Sequence, residues 1–198
     1  MIKAVIFDVG GTYLSGSLVS FARKACKMLG IKKFFRETDL RVFVRKYNQG
    51  VISAEECFRK CLGVPITSAQ MKRIKSLWTS TYALQPEMAR LVKRLKKRYA
   101  LAVLSNSDPL NSDSFKRKGL YAPFNHVILS HELGVTKPDK KIYRIALKKL
   151  KMRPDECVFI DDQKICVDAA RKIGMNAILF ESVRQLKKAL KARGVDFS

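Results

Sequence analysis

The stretch VIFDVGGTYL, residues 5–14, carries an apolar run straight into Asp8 and then into Gly10 and Gly11. A continuous run of β-branched and aromatic residues is the texture of a strand buried on both faces, so residues 2–9 (IKAVIFDV) read as a parallel strand with Asp8 at its C-terminal tip. The same texture returns at 100–105 (ALAVLS), 126–129 (HVIL), 157–161 (CVFID) and 176–180 (NAILF). Amphipathic helices are expected between and after these strands, at 86–98, 111–118, 139–150, 164–173 and 182–193, with Gly119, Gly174 and Gly194 ending three of them. Strands alternating with helices predict an α/β class fold with a doubly wound parallel sheet.

Residues 16–84 break the alternation. Four helices are expected there, near 17–29, 36–48, 53–62 and 67–82, with Ser53-Ala54-Glu55-Glu56 and Thr67 as start signals. An all-helical segment placed directly after the first strand reads as an inserted helical cap. The expected domains are therefore an α/β core of 1–15 and 85–198 and a cap of 16–84. A chain of 198 residues, 47% hydrophobic, is long enough for one good core and one appended subdomain.

Composition narrows the function classes. No apolar run is long enough to span a bilayer, and the N-terminus reads directly as a strand where a signal peptide would have its basic and apolar regions, so a soluble cytoplasmic protein is expected. The five cysteines (Cys26, Cys57, Cys61, Cys157 and Cys166) include no CxxC pair and mostly sit among apolar residues, which predicts reduced, structural thiols. Lys and Arg total 40 against 17 acids, a net charge of +23. These cations are spread over every helix without aromatic interleaving, as in RLVKRLKKR and RQLKKALKAR. They read as solvated helix faces with weak, nonspecific binding to polyanions.

Three carboxylates, Asp8, Asp161 and Asp162, end apolar strands. If those tips are neighbours, their repulsion calls for a cation, and a hard divalent ion such as Mg²⁺ suits oxygen donors. A simpler reading of Asp161-Asp162 is the cap of the helix that starts near Lys164. His126 and His131 fit no motif and are expected to be structural.

Taken together, FDVGGT, VLSNSD, GVTKPDKKIY and VFIDDQKICVDAARKIGMNAILF, in this order and spacing, resemble the haloacid dehalogenase-like hydrolase superfamily, in the subfamily with a small helical cap after the first motif. The resemblance implies a Rossmann-like sheet in strand order 5-4-1-2-3, which places the tips of strands one, two and four side by side. It implies Asp8 as a nucleophile that forms an aspartyl phosphate, with Mg²⁺ held by Asp8, Asp162 and the carbonyl of Gly10 and by Asp161 through water. Ser105, the backbone N–H of Asn106, Lys137, Val9 and Gly10 are the implied phosphate-binding positions. Lys137 has a catalytic role as well, neutralising the nucleophile and the transferring group, and Thr12 braces the loop.

Gly10 is the departure. Hydrolytic phosphatases of this family usually carry a second aspartate two residues after the nucleophile, which protonates the leaving group and later activates water. A glycine keeps the backbone carbonyl and loses the acid/base. The expected function is a Mg²⁺-dependent phosphohydrolase acting on a small phosphorylated metabolite. Two alternatives stay open. A catalytically impaired protein that binds a phospholigand, RNA or a partner is kept alive by Gly10, Gln163 and Cys166. A 2-haloacid dehalogenase is disfavoured by the acidic pair.

Overall fold

A computed structural model of the chain describes residues 1–31 and 37–198. At its centre is β1, Ala4–Phe7, fully buried and paired in parallel on one side with β4, Ala100–Ser105, and on the other with β6, Cys157–Asp161. The outer strands are β5, His126–Leu129, and β7, Asn176–Leu179, giving the sheet order β5-β4-β1-β6-β7. Counted among these five strands, this is the expected order 5-4-1-2-3.

The two-residue period of the strands divides the core. Val5, Phe7, Leu101, Val103, Val158 and Ile160 face one apolar layer. Ala4, Ile6, Ala102, Leu104, Cys157 and Phe159 face the other. The helices α5 (Pro86–Leu95), α6 (Pro109–Arg117), α8 (Lys140–Leu150), α9 (Lys164–Arg171) and α10 (Val183–Lys191) cover these layers. Each lies where a helix was expected, with ends moved by their caps: Asp108 accepts from Asn111 N and starts α6 two residues early, and Ser182 accepts from Gln185 N before α10. The first strand is shorter than the 2–9 read from hydrophobicity, because after Phe7 the chain turns into the loop that carries Asp8.

The described residues between Ser17 and Ser80 form four helices and their connections: α1 (Leu18–Leu29), α2 (Glu37–Asn48), α3 (Ala54–Leu62) and α4 (Ser68–Ser80). The expected start of the second helix at residue 36 lies outside the described residues. Ser53 caps α3, and Thr67 with Gln70 forms a capping box at α4. These helices enclose an apolar cluster of their own, in which Phe21, Phe58 and Trp78 meet largely edge to face.

Where the chain leaves the body and returns, β2 (Leu14–Ser15) pairs antiparallel with β3 (Ala83–Leu84). Neither these two-residue strands nor α7 (Ser130–Leu133) carries a periodic signal long enough to be read from sequence. Polar contacts tie the helices to the body: Trp78 Nε1 donates to Asp108 Oδ2 at 3.0 Å and Ser130 Oγ to the Asn48 carbonyl at 2.6 Å. All five cysteines are free and buried, as expected. Among the described residues no helix is long and apolar enough to cross a membrane.

Candidate active site

The tips of β1, β4 and β6 are adjacent because β1 pairs with both of the others. Asp8 is fixed at the first tip by its own N–H, which donates to the Ile160 carbonyl at 2.8 Å. Asp8 is 5% exposed, and its Oδ1 accepts from Lys137 Nζ at 2.6 Å. The same ammonium donates to Asp161 Oδ2 at 2.6 Å. Lys137 sits in the loop before α8, far from Asp8 in sequence, and its backbone is clamped by one side chain: Asn106 Oδ1 accepts from Lys137 N at 2.7 Å while Asn106 Nδ2 donates to the Lys137 carbonyl at 3.0 Å. Asn106, expected here for its backbone N–H, thus commits its amide to placing the lysine.

Asp8, Asp161 and Asp162 form one cluster, with an oxygen of each within 4.8 Å of the others. One ammonium faces three carboxylates. Burial pushes Asp8 up from 3.8 to about 7, with Asp161 and Asp162 adding to the shift and Lys137 opposing it. Asp162 is raised as well, by burial and by Asp161, against Lys137 and Arg41. Burial works against the charge on Lys137, but Asp161 and Asp8 outweigh it and hold the lysine above its ordinary value. Asp161 is fully buried with both oxygens engaged, since Oδ1 accepts from Gln163 N at 2.8 Å. Asp162 is partly accessible to solvent, and the N-cap of α9 is Gln163, so neither aspartate of the pair holds that capping position.

The loop from Val9 to Leu14 closes on itself, with Leu14 N donating to the Val9 carbonyl and Gly11 N to the Leu14 carbonyl, both at 2.8 Å. Gly11 has φ +80, and a Cβ there would lie 2.1 Å from Asp162 Oδ2, so a side chain would displace that carboxylate. Thr12 does not brace this loop through its hydroxyl, which is buried without a hydrogen-bond partner; its carbonyl accepts instead from Gln85 Nε2 at 3.1 Å.

Gly10 is different from Gly11. Its φ is not positive, so its backbone does not demand glycine. A Cβ built there stands 3.1 Å from Tyr82 Cε1 and 3.8 Å from its Oη. Tyr82 comes from the returning segment just before β3, and its ring packs edge to face on Phe115 at 5.8 Å. The side of the nucleophile loop left open by Gly10 is therefore covered by a phenol. Burial, with Asp108, Asp8 and Asp162, raises its pKa and keeps it protonated.

Asp8, Gly10, Asn106, Lys137 and Asp162 line a single cavity of about 510 Å³. Val9, Thr12, Ser105 and Asp161 are buried and do not line it. Side chains that sequence reading missed line it as well: Tyr82, and Arg41 and Arg45 of α2. The four-residue spacing of the two arginines is a signal that they share a helix face, although the sequence does not say what that face meets. His131 Nδ1 lies 3.0 Å from the Ser107 carbonyl, a structural contact as expected.

A family model described as haloacid dehalogenase-like hydrolase matches residues 2–174. The chain belongs to the haloacid dehalogenase-like hydrolases. Among curated members it is 28% identical over 193 residues to D-ribitol-5-phosphate phosphatase of Bacteroides thetaiotaomicron, covering 88% of this chain and 89% of that protein. It is 29% identical over 206 residues to acyl-CoA dehydrogenase family member 10 of Mus musculus, covering 96% of this chain but 19% of the mouse protein. Among solved structures, a HAD family enzyme of Bacteroides thetaiotaomicron in complex with magnesium and inorganic phosphate superposes with TM-score 0.76 at 20% identity, over 94% of this chain and 99% of that one. The L-2-haloacid dehalogenase of Xanthobacter autotrophicus superposes with TM-score 0.69 at 22% identity, over 97% and 83% of the two chains. At such identities these likenesses show a common fold.

Proposed function

We propose that this haloacid dehalogenase-like hydrolase is a Mg²⁺-dependent phosphohydrolase that acts on a small phosphorylated metabolite through an aspartyl phosphate on Asp8. One observation carries the reading: a single buried ammonium, 2.6 Å from Asp8 and from Asp161, is set against three clustered carboxylates. The surplus negative charge of these oxygen donors fits a hard divalent cation, with Asp8, Asp162 and the Gly10 carbonyl as its holders. Bound there, Mg²⁺ would supply charge neutralisation for phosphoryl oxygens.

The protein's own groups do the rest. Lys137 lowers the repulsion between a phosphate dianion and Asp8 and keeps the attacking carboxylate oriented. A carboxylate oxygen of Asp8 bonds to phosphorus as the ester oxygen leaves, and water then cleaves the acyl phosphate to release inorganic phosphate and restore Asp8. The N–H groups of Gly10 and Asn106, both of which line the cavity, are assigned to the phosphoryl oxygens. The segment 16–84 is assigned as a cap domain over a core of 1–15 and 85–198. Relatives that are phosphatases, of D-ribitol 5-phosphate and, in Thermus thermophilus, of phosphoserine, support a phosphate monoester as substrate. The net charge of +23 adds weak, salt-sensitive polyanion binding.

A second reading, phospholigand binding without turnover, is kept open by Gly10, Gln163 and Cys166. The two part in one experiment, a panel of phosphorylated metabolites assayed with and without Mg²⁺. Turnover that requires Mg²⁺ and disappears in Asp8→Asn is expected. Binding of panel members with no turnover in the wild type would decide for the second reading.

A further inference from the structure

The positive charge of the chain is not laid evenly over the body. Residues 86–98 and 183–198, which are α5 and α10 with the segments that follow them, carry eleven Lys and Arg against two acids, a net +9 of the chain's +23. The two helices run side by side in the same direction: Lys187 pairs with Glu87 at 3.0 Å near their starts, and Arg98 pairs with Asp196 beyond their ends. Those two ion pairs engage both acids. Cations at i, i+4 and i+7 form a row on each helix, Arg90, Arg94 and Lys97 on one and Arg184, Lys188 and Lys191 on the other. Within a row they stand about 6 and about 4.5 Å apart along the axis. All six are exposed, and none is ion-paired among the described residues. Between the helices lies a groove of about 600 Å³ whose lining includes Arg94, Arg184, Lys187, Lys188, Lys191 and Phe197. None of these residues lines the cavity at Asp8. In the other layer α8 is also rich in lysine, but it meets no second free row, because its neighbour α9 pairs Lys164 and Arg171 with Asp168.

Two facing rows of unpaired cations call for a partner with many regularly spaced anions. Phosphodiester backbones supply them, and guanidinium and ammonium groups bind phosphate oxygens by charge-assisted hydrogen bonds. An anionic membrane is the less suited partner. The large exposed apolar side chains, Met1, Val42, Val51, Leu84 and Ile165, all lie outside α5 and α10, so neither helix offers a face to insert among lipids. Single strands are held largely by stacking of bases on exposed rings. Here Phe197 is buried beneath Arg94 and Lys191, and Tyr99 packs on the core with its hydroxyl accepting from Asp196 N at 2.8 Å. We propose that the α5–α10 groove is a docking site for the sugar–phosphate backbone of duplex nucleic acid, read without regard to base sequence. The site is independent of the phosphohydrolase reading, and either can fail without the other.

The test titrates the full-length protein into labelled duplexes of about 20 base pairs, one of DNA and one of RNA, over a range of salt concentrations. At least one should bind, with log K falling against log salt at a slope of about −4 or steeper, and the tighter of the two identifies the duplex. The fourfold variant Arg94→Gln, Arg184→Gln, Lys188→Gln, Lys191→Gln should flatten that slope by about 3 and weaken binding more than about tenfold near 0.1 M salt. Arg184→Gln with Lys188→Gln breaks no contact within the protein and should give about half the change in slope, which keeps the test decisive if the fourfold variant does not fold. On α8, Lys141→Gln, Arg144→Gln, Lys148→Gln and Lys149→Gln together remove the same charge from another exposed helix and should change the slope by less than about 1. Binding of neither duplex, or equal losses from the two fourfold variants, overturns the site. Phosphatidylserine vesicles form the last arm: their capture of the protein through these same residues, with neither duplex bound, would make the face a membrane surface instead.

Discussion

Position 10 shows how one residue sets a chemical limit and how a neighbour enforces it. With glycine there, no carboxyl group stands two residues after Asp8 to protonate a departing oxygen, a contribution typically worth about 10² to 10⁴-fold. The raised pKa of Tyr82 makes its phenol a poor proton donor to replace it. A preference for good leaving groups follows, seen as a steep fall of kcat/KM with rising leaving-group pKa. Installing Gly10→Asp tests this, and the obstacle is steric: the ring of Tyr82 must yield by a few tenths of an ångström before even a Cβ is accommodated. The single variant should therefore gain little, whereas Gly10→Asp with Tyr82→Ala should flatten the leaving-group dependence. A double variant as steep as wild type, while still folded, would show that the acid is supplied from elsewhere.

At the scale of elements, the junction between the helical segment and the body depends on Asp108. It caps α6 and accepts from Trp78 Nε1 on α4, from Asn111 N and from Asn111 Nδ2. Asp108→Ala removes the cap and leaves a buried indole N–H without its partner, which should cost about 2–4 kcal/mol and lower Tm by roughly 5–15 °C in a chain of this size. Trp78 is the chain's single tryptophan, so its fluorescence reports this junction directly and should change in Asp108→Ala. Asp108→Asn sheds a carboxylate that burial disfavours but keeps only one acceptor oxygen, enough for the cap or for the indole N–H and not for both, and it should fall between Asp108→Ala and wild type. Equal losses for both variants would mean that charge, and not the hydrogen bonds, holds the junction.

At the scale of the whole molecule, the acidic cluster makes stability depend on pH and on metal. The folded-state pKa of Asp8 is raised from 3.8 to about 7, so its contribution is fully present below about pH 4 and is lost as pH rises through 7. Metal-free wild type should fall behind Asp8→Asn as pH climbs from 4 to 8, by about 1–4 kcal/mol at the upper end. Millimolar Mg²⁺ should raise the wild-type Tm at pH 8 and close that gap, because an ion that binds only the folded site stabilises it by mass action. Parallel Tm profiles for the two proteins, unaffected by Mg²⁺, would count against a shared metal site. The parallel sheet was legible in the sequence, because strands buried on both faces must be continuously apolar, and the strand order that brings these carboxylates together was implied by the resemblance to the family. Asp8, Lys137 and Asp162 were legible too, because the ordered motifs mark them. Tyr82, Arg41 and Arg45 were not. Arg41 and Arg45 belong to α2, where periodicity identifies the buried face of a helix but says nothing of which exposed side chains are turned toward another layer, and Tyr82 lies between α4 and β3, where there is no period to read. The sequence by itself determined the sheet and its acidic tips, since local burial pattern specifies both. Only the tertiary structure decided what covers Gly10 and which side chains of α2 line the cavity, since both depend on the packing of residues far apart in the chain.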